Sequence, residues 1–468
     1  MLIPGLSEGQ VADLQRATED LLENVGLRVQ HQGLLRQARQ AGAIVDEATG
    51  LVRIPAALLR ELLAQAPAAY TVAGFDGRAQ IIGGETQHCL AIVTDPWIID
   101  YETQRPRRPR LEDIRRHTII AQCLDQVVGI SRMDFPVADV EGPTSSLRAL
   151  EEHLLHHDKH IFVYATTAES HKQSMEIGEI LARATGLPQS TLMSVAVAVI
   201  SPLVISQFNA ELLLSACANK CPVIPTVCSM AGTTAPYSMA ATLLQGNAEV
   251  VGLAALAQMV RPGTPCLYHF GPSVTDMRDG RDLYYTLDKV LWKIAAAQLG
   301  CAYGLPVGAE CGGTMTYRYD QQNGAEGMLF MLAAQRSGAH LLAGIGSCYN
   351  AVGMSAEMML VQIAWLEAAR FLGRGIDARE LQAGLESISK AGPGGHFLDD
   401  ELTLKLLRSE EFFKSDLLDL SGKEDGRSLL ERAHEKAQAM IEGFKSPVPE
   451  LTQEALRRYF QEQYRKLQ

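Results

Sequence analysis

The sequence of 468 residues has no long uninterrupted apolar run and no excess of positive charge. A helix that spans a bilayer needs roughly 18 to 20 apolar residues in a row, and the N-terminal residues lack the charged-then-apolar order of a secretory signal. The formal net charge is −12, whereas nucleic-acid surfaces need clustered lysine and arginine. We therefore expect a cytoplasmic protein that binds neither membranes nor nucleic acids.

Cysteine pairs with metal-binding spacing are also missing. The nine cysteines are scattered and no two form a CxxC motif, which argues against a zinc knuckle or a disulfide framework. His153 and His157 stand four residues apart on one face of a predicted helix, a spacing that metal sites use. That helix ends just before a predicted strand, on the side of the fold where side chains usually serve stability. We predict no metal site of the protein's own.

Signatures of familiar catalytic and nucleotide-binding sites are absent as well. The chain holds no GxGxxG or Walker motif, no GxSxG nucleophile elbow, no HExxH helix and no evident pair of catalytic acids. Residue patterns by themselves therefore leave the reaction of the expected enzyme unidentified.

What is present is a regular alternation of helical and strand-like segments. Residues 1–110 are predicted to form helices followed by short β-hairpins, residues 111–400 alternating strands and helices, and residues 401–468 charged helices. Parallel strands buried on both faces read as apolar runs without polar alternation, and seven such runs occur. They are QVVGISRMDF, KHIFVYATT, TLMSVAVAV, CPVIPTVCS, TPCLYHFG, LPVGAECGG and AHLLAGIGS.

These runs predict an α/β fold, specifically a (β/α)8 TIM barrel whose eighth strand is not assigned. The barrel would carry an N-terminal helical and β-hairpin extension, and a C-terminal helical tail that packs on the barrel or on a second subunit. A doubly wound open sheet is the alternative, but it usually shows a glycine-rich phosphate loop after its first strand.

In a (β/α)8 barrel the active site lies where the strands end, so the residues that close the apolar runs are the candidates. Glu310 is the only acid in its run, and a catalytic role and a strand-end hydrogen bond to backbone amides are equally open. His269 is either a base or a hydrogen-bonded core group. The other strand-end candidates are Arg132, Met133, Asp134, Tyr164, Ser201, Cys228, Met230, Tyr268, Phe270, Cys311, Cys348, Tyr349 and Asn350.

A set of short motifs resembles the trimethylamine methyltransferase family, the corrinoid-dependent methyltransferases that include glycine betaine and other quaternary-amine members. Each motif is weak alone, and together they are specific. The main ones are Ser201-Pro-Leu203, Met230-Ala-Gly-Thr-Thr-Ala-Pro236, Gln245-Gly-Asn-Ala-Glu249, Gln258-Met-Val-Arg-Pro-Gly263, Gly304-Leu-Pro306, the spaced Asp320, Gln322, Gly324 and Glu326, and Ser355-Ala-Glu357. Weaker similarity in Asp100-Tyr-Glu-Thr103, Arg108-Pro109 and Glu112-Asp113 extends the resemblance to most of the chain.

The resemblance implies a (β/α)8 barrel that moves a methyl group from an amine to the Co(I) form of a corrinoid (cobalamin) held by a separate carrier protein. Family members that use trimethylamine contain pyrrolysine, whereas this sequence has only standard residues. The usual Thr-Asp-Ser-Lys after the sixth strand is Thr314-Met-Thr-Tyr317 here. Both departures favour the branch without pyrrolysine. Glycine betaine is the leading expected substrate, with proline betaine and carnitine as alternatives.

The implied chemistry gives the strand-end residues a place in a cage for a trimethylammonium group. Such cations lie over aromatic faces, each contact contributing about 0.5 to 2 kcal/mol. The expected rings are Tyr164, Tyr268, Phe270, Tyr349 and Trp97, although packing in the core is an equal alternative for each. Arg132 and His269, and less strongly Arg318, are candidates to meet a substrate carboxylate. Cys348 and Asn350 complete the expected substrate-binding set, and Glu310 and His269 are the catalytic candidates.

The loop that begins at Met230 is the candidate corrinoid contact. Its glycine and threonines explain a helix start by themselves, and their small size could also leave room for a flat corrin ring. The residues expected there are Met230, Gly232, Thr233 and Thr234.

Two other functions stay open at this point. One is a zinc-dependent betaine:thiol methyltransferase with zinc held by histidine or cysteine, and the other is a betaine-binding barrel that has lost methyl transfer. The expected partners are a small quaternary amine, a corrinoid-binding carrier protein and further copies of the chain in a homo-oligomer.

Overall fold

The computed structural model describes residues 3–423 and 426–467. The stretch up to residue 82 contains α1 (Glu8–Asn24), β1 (Leu27–Val29), α2 (Gln32–Gln40), β2 (Ile44–Asp46), β3 (Leu51–Arg53), α3 (Ala56–Gln65), β4 (Tyr70–Ala73) and β5 (Ala79–Ile82). Residues 88–260 contain β6 (His88–Ile92), β7 (Trp97–Ile99), β8 (Pro106–Arg107), α4 (Leu111–Cys123), β9 (Val127–Met133), α5 (Ser145–Leu154), β10 (His160–Tyr164), α6 (Ala168–Thr185), α7 (Gln189–Leu192), β11 (Met193–Val199), β12 (Val204–Ile205), α8 (Gln207–Ala218), β13 (Val223–Val227), β14 (Met230–Ala231) and α9 (Met239–Val260). Residues 273–467 contain β15 (Ser273–Thr275), β16 (Asp282–Leu283), α10 (Asp288–Ala302), β17 (Gly308–Glu310), α11 (Gln321–Arg336), β18 (Leu341–Ile345), β19 (Ser347–Cys348), β20 (Gly353–Met354), α12 (Ala356–Arg374), α13 (Leu381–Ala391), α14 (Glu401–Leu406), α15 (Leu429–Glu442) and α16 (Glu450–Leu467).

Seven of these strands form one sheet in the order β13-β11-β10-β9-β6-β18-β17, and every neighbouring pair is parallel. The segment 266–268 joins the two outer strands, because Cys266 bridges in parallel to Val223 and Tyr268 to Val307. The sheet is thereby closed into a ring of eight parallel segments, and a helix follows each segment. The predicted (β/α)8 barrel is confirmed.

The strand that the sequence left unassigned is β6, which pairs with β18 on one side and β9 on the other. Hairpins were predicted throughout residues 70–110. That prediction is right for the antiparallel pairs β4–β5 and β7–β8, and it is wrong for β6. The HCLAI run is short and buried on most of its length, so it shows neither polar alternation nor a long apolar signal. The barrel sheet therefore begins before residue 110, the boundary predicted for the barrel.

The β4–β5 hairpin closes the end of the barrel at which the strands begin, and we call it the plug. Its buried side chains Tyr70, Val72 and Ile82 pack against side chains that point into the barrel. The interior side chains come from five barrel segments: Leu90, Phe162, Ile224, Leu267 and Leu341. Water is therefore excluded from this end by apolar packing.

Two small sheets surround the opposite end, the mouth, and we call them the collar. One sheet has the order β14-β15-β16 and the other β19-β20-β7-β8. All of these strands lie in loops that follow barrel strands, as expected for the functional face of this fold.

Helices cover the outside of the barrel. Among the described residues, α9 is the one helix long and apolar enough to cross a bilayer, and 78% of its most apolar window is buried inside the protein. It packs against α1, α3 and β13 as a core helix.

The remaining elements lie around this barrel. The sheet β12-β1-β3-β2 belongs to the N-terminal region, together with α1 to α3. In the tail, α15 packs on α12 and α4, and α16 packs on α5 and α6.

Candidate active site

Four side chains from separate barrel segments point into the mouth. In a strand, residues two apart share a face, and the interior face is fixed by Phe162, Ile224, Leu267 and Leu341. Tyr164, Cys228 and His269 continue that face toward the strand ends. Glu310 shares it too, because Gly308 is in register with Leu341, and a side chain on Gly308 would meet Leu267 and His269. Glu310, His269 and Tyr164 thus share the interior face of the barrel at its mouth.

Glu310 is buried and compensated by several partners. The Tyr284 hydroxyl donates a hydrogen bond to its Oε1, and the Nζ of Lys289 lies 3.6 Å from the same oxygen. Burial by itself raises the pKa of Glu310, but Lys289, His269, Lys293 and the Tyr284 hydroxyl together lower it below its usual value. The carboxylate is therefore held ionised inside the barrel.

Two lysines that sequence reasoning missed lie beside this acid. Lys289 and Lys293 are in the first turns of α10, and both are buried. The Nζ of Lys289 lies 2.8 Å from the centre of the Tyr284 ring, and that of Lys293 lies 4.4 Å from the centre of the Phe330 ring. Burial lowers the pKa of each to about 8. The signal was available, since both lysines interrupt the apolar run that contains WKIAAAQ.

His269 presents a neutral imidazole to the mouth. Burial lowers its pKa, while the Glu310 charge and a hydrogen bond with the Pro225 backbone raise it in part. Its Nε2 is buried and has no hydrogen-bond partner among the described residues. One ring nitrogen is thus available inside the mouth.

The mouth is open enough to expose a residue at its rim. Cys228 as a residue is solvent-exposed. Its thiol lies inside the mouth, where burial raises the thiol pKa to about 11 and the Lys289 charge opposes the rise. Burial also raises the pKa of the neighbouring Tyr164 to about 12, and the charge of Glu310 adds to the shift. Both groups are neutral at physiological pH.

Asn350 joins two loops of the mouth. Its Oδ1 accepts hydrogen bonds from the backbone N–H groups of Tyr284 at 2.7 Å and Tyr285 at 3.3 Å, and its Nδ2 donates to the Asp282 carbonyl at 2.7 Å. Tyr349, Asn350 and Ala351 all have positive φ, which turns this amide toward the other loop. Asn350 thereby holds the segment that carries Tyr284 in place.

Two predicted site residues of the segment 266–268 and its end lie behind the barrel wall. The Tyr268 hydroxyl donates to Asn247 of α9 at 2.6 Å, and Phe270 packs close to Gly246 of the same helix. The physical reason is the two-residue period, because an inward His269 requires its neighbours to point outward. The cage that we predicted from Tyr268 and Phe270 is therefore wrong in its placement.

Arg132 also points outward, beside a cavity of about 390 Å³ between α5 and α6. Its guanidinium donates to the carbonyls of Met133, Phe135 and Ser146 and pairs with Asp134 at 3.0 Å. The structure does not bring Arg132 to the mouth. Arg318 is exposed and pairs with Asp320 at 2.9 Å.

Trp97, Cys348 and Tyr349 lie together in the collar. Trp97 pairs with Gly353, and Gly353 lies against the side chain of Tyr349. The Arg108 guanidinium covers the Trp97 ring at 4.1 Å, and Tyr317 meets Tyr349 edge-on at 5.0 Å. Cys348, which precedes Tyr349 in the sequence, is buried.

The loop predicted to face a corrinoid is on the other side of the collar. The Thr234 hydroxyl accepts a hydrogen bond from the Met230 N–H, and the Thr233 and Thr275 hydroxyls lie 2.9 Å apart. Gly232 has a φ of 100°, and a Cβ there would lie 2.6 Å from the Met277 sulfur. The loop is therefore built tightly against β15 and the turn that follows it.

In the described ranges, no three histidine, cysteine, aspartate or glutamate side chains gather into a metal-binding group. The His153 and His157 rings lie 4.4 Å apart and are buried near the plugged end. The roles assigned to the site residues remain predictions.

Comparison with known proteins supplies the family context. The family model "Trimethylamine methyltransferase (MTTB)" matches residues 3–467. The trimethylamine methyltransferase MttB of Desulfitobacterium hafniense (strain DSM 10664 / DCB-2) is 24% identical over 98% of this chain and 94% of that protein. The glycine betaine methyltransferase of Desulfitobacterium hafniense (strain Y51) is 27% identical over 94% of this chain and 93% of its own length.

Two further proteins are similar over most of the chain. The L-carnitine:corrinoid methyltransferase of Eubacterium limosum is 24% identical over 96% of this chain and 95% of that protein. Among solved structures, the monomethylamine methyltransferase of Methanosarcina barkeri covers 92% of both chains with 14% identity and a TM-score of 0.48.

Proposed function

The chain belongs to the trimethylamine methyltransferase family, and we propose that it moves a methyl group from a quaternary amine to the Co(I) corrinoid of a separate carrier protein. The observation that carries this proposal is the family match over residues 3–467 on a barrel with charged residues in its mouth. Relatives named for glycine betaine and L-carnitine support a quaternary amine as the methyl donor. Glycine betaine is the substrate that we test first.

The proposed reaction needs little proton transfer by side chains of the protein. A quaternary ammonium leaves as a neutral tertiary amine, so its departure needs no proton, and the bound corrinoid would supply a strong nucleophile. The task of the protein is then to orient one methyl group and to exclude water. We assign this to the mouth, where Tyr164, His269 and Glu310 converge from three barrel segments.

The rim of the mouth fits a flat, largely apolar partner. Ile200, Tyr237 and Met277 follow three consecutive barrel segments and are 52%, 69% and 63% exposed. Exposed large apolar side chains at one edge commonly mark an interaction surface. In this proposal they hold the corrinoid and its carrier, with Gly232 and Thr233 leaving room beside them.

The proposal is tested with the purified protein, free cob(I)alamin kept reduced, and a panel of glycine betaine, proline betaine, carnitine and choline. We expect conversion of the cob(I)alamin spectrum to that of methylcobalamin with at least one amine, together with the matching demethylated product. No methylcobalamin with any amine, under conditions that keep cob(I)alamin reduced, would contradict the proposal.

Two alternative outcomes are distinguished by the same preparation. One zinc ion per chain, with transfer to a thiol, would favour a zinc-dependent betaine:thiol methyltransferase. A rise in melting temperature with a betaine, but no transfer to cob(I)alamin, would favour a binding protein.

A further inference from the structure

Asp95 is a buried carboxylate at the junction between the first barrel strand and the collar. It follows β6 and precedes β7, and its side chain is 6% exposed. No hydrogen bond or ion pair reaches its carboxylate from the described residues; the Thr94 hydroxyl bonds only to its backbone carbonyl. In the described part of the chain, only solvent is therefore left to compensate a charge on this carboxylate.

The other buried carboxylates in the described ranges all have partners. Each one accepts a hydrogen bond or forms an ion pair: Asp113 with Arg107, Asp158 with Gln122, Glu249 with Ser201, Asp276 with Arg278, Glu310 with Tyr284 and Lys289, and Glu357 with His434. Burying an ionised carboxylate without a partner costs several kcal/mol. Asp95 is therefore the exception that needs a physical explanation.

The surroundings of Asp95 lie on the mouth side of the barrel. Its charge acts on Tyr285, in the loop after segment 266–268, and on Cys348, in the loop after β18. The Tyr285 ring lies 5.1 Å from that of Tyr284, whose hydroxyl bonds Glu310. Asp95 is thus linked to the mouth through Tyr285, the neighbour of the tyrosine that bonds Glu310.

We propose that Asp95 is the counter-charge of the substrate's quaternary ammonium group and selects cations at this mouth. The proposal rests on the function proposed above, because that function supplies the cation. A trimethylammonium group has no N–H to donate, so a bare carboxylate beside aromatic rings suits it better than a hydrogen-bonding network. Trp97 follows Asp95 by two residues and pairs with Gly353, which lies against Tyr349, and the Asp95 charge acts on Tyr285.

The state of the free protein agrees with this role. Burial raises the pKa of Asp95 to about 8, so at pH 7 it is mostly protonated. Tyr285 and Cys348 are neutral as well, because burial raises the pKa of each well above its usual value. The charged group beside this segment is Arg108, whose guanidinium donates to the Pro96 carbonyl at 3.1 Å and covers the Trp97 ring. A bound cation stabilises the ionised form, so binding releases the proton from Asp95 to the solvent.

The test compares wild-type protein with Asp95→Asn, using glycine betaine and 3,3-dimethylbutanoate, in which carbon replaces the charged nitrogen. A second pair, choline and 3,3-dimethylbutan-1-ol, repeats the comparison without a carboxylate. In wild-type protein we expect the quaternary ammonium compound of at least one pair to bind more tightly than its carbon isostere. Titration calorimetry in two buffers at pH 7 should also show release of about one proton per cation bound.

In Asp95→Asn we expect the preference for the cation to fall by about 30-fold or more, with no proton release. Asparagine removes an uncompensated buried acid, so the variant should fold; Asp95→Ser is the second variant. Asp134→Asn is the matched control, a strand-end carboxylate behind the barrel wall that pairs with Arg132, and it should keep the preference.

The outcomes separate this inference from the proposed function. Equal cation preference in wild type and Asp95→Asn, or no preference in either pair in wild type, overturns the role of Asp95. Methyl transfer to cob(I)alamin with an unchanged KM in Asp95→Asn overturns it while the proposed function stands. An Asp95-dependent preference without any methyl transfer supports the counter-charge and contradicts the methyltransferase.

Discussion

The two ends of this barrel use the same strands for opposite purposes. At the plugged end, apolar side chains of β4 and β5 fill the space between Phe162, Ile224 and Leu341. At the mouth, the same strand faces continue into Tyr164, Cys228 and Glu310, and α10 adds two buried lysines. The first end stabilises the fold by excluding water, whereas the second end carries buried charge that a fold does not need. The difference separates an end built by packing from an end that holds buried charge.

The largest effect should come from breaking the ion pair of the mouth. Replacing Lys289 by methionine leaves Glu310 without its nearest ammonium group, and breaking a buried pair costs about 3 to 5 kcal/mol. We expect a loss of this size in the free energy of unfolding measured with urea. The control is Lys293→Met, because Lys293 is equally buried and lies over a ring but, within the described residues, forms no ion pair with Glu310. If both variants lose equally, the pairing with Glu310 is not what stabilises the mouth.

The plugged end should respond to a loss of volume. Ile82 is buried against the barrel interior, and its replacement by alanine should lower the free energy of unfolding by about 2 to 4 kcal/mol. Its neighbour Ile81 points the other way and is exposed, so Ile81→Ala is expected to change stability by less than about 0.5 kcal/mol. Similar losses in both variants, measured in the same urea series, would contradict the plug.

Acid should weaken the plugged end through its histidines. Burial, and then the Lys159 charge, lowers the pKa of His157 to about 3, and burial lowers that of His160 to about 4. Well above pH 6.5, both histidines are neutral in the folded and in the unfolded chain. As the pH falls below 6.5, the unfolded chain binds protons at these histidines and the folded chain does not. Stability should therefore fall by about 1.4 kcal/mol per pH unit for each histidine, down to the folded pKa.

Melting temperatures from pH 7.5 to pH 5 check this expectation. His157→Phe, which can pack on Phe75, should flatten the curve relative to wild type, and the exposed His396→Gln should leave the slope unchanged. An unchanged slope in His157→Phe would refute the assignment to His157.

The smallest expected change in stability comes from removing a tyrosine hydroxyl, and it should have opposite signs at the two ends of the barrel. The Tyr70 hydroxyl is buried in the plug without a hydrogen-bond partner in the described part of the chain, so Tyr70→Phe should raise stability by about 1 kcal/mol. The Tyr285 hydroxyl lies 3.2 Å from the Ser347 hydroxyl, so Tyr285→Phe should lower stability by a similar amount. Thermal unfolding of the two variants at one pH decides the sign.

Much of the fold follows from the sequence, because strands buried on both faces leave apolar runs that alternate with helices. The first strand was missed because HCLAI is too short to be separated from the hairpins around it. Within the site, the residues of one strand could be sorted by their period of two, which places His269 inside and Tyr268 outside once one of them is known. Lys289 and Asp95 lie on a helix and a loop, where their burial depends on distant segments, and no local pattern reports that.

The plug also limits the order in which the substrates bind and the products leave. With one end sealed by Tyr70, Val72 and Ile82, everything that reaches Glu310 passes through the same opening. For the proposed reaction, a small amine has to be seated before a large carrier covers that opening, and the demethylated amine leaves only after the carrier has gone. For that reaction, a sealed barrel floor would impose compulsory-order kinetics, with the quaternary amine first on and the demethylated amine last off.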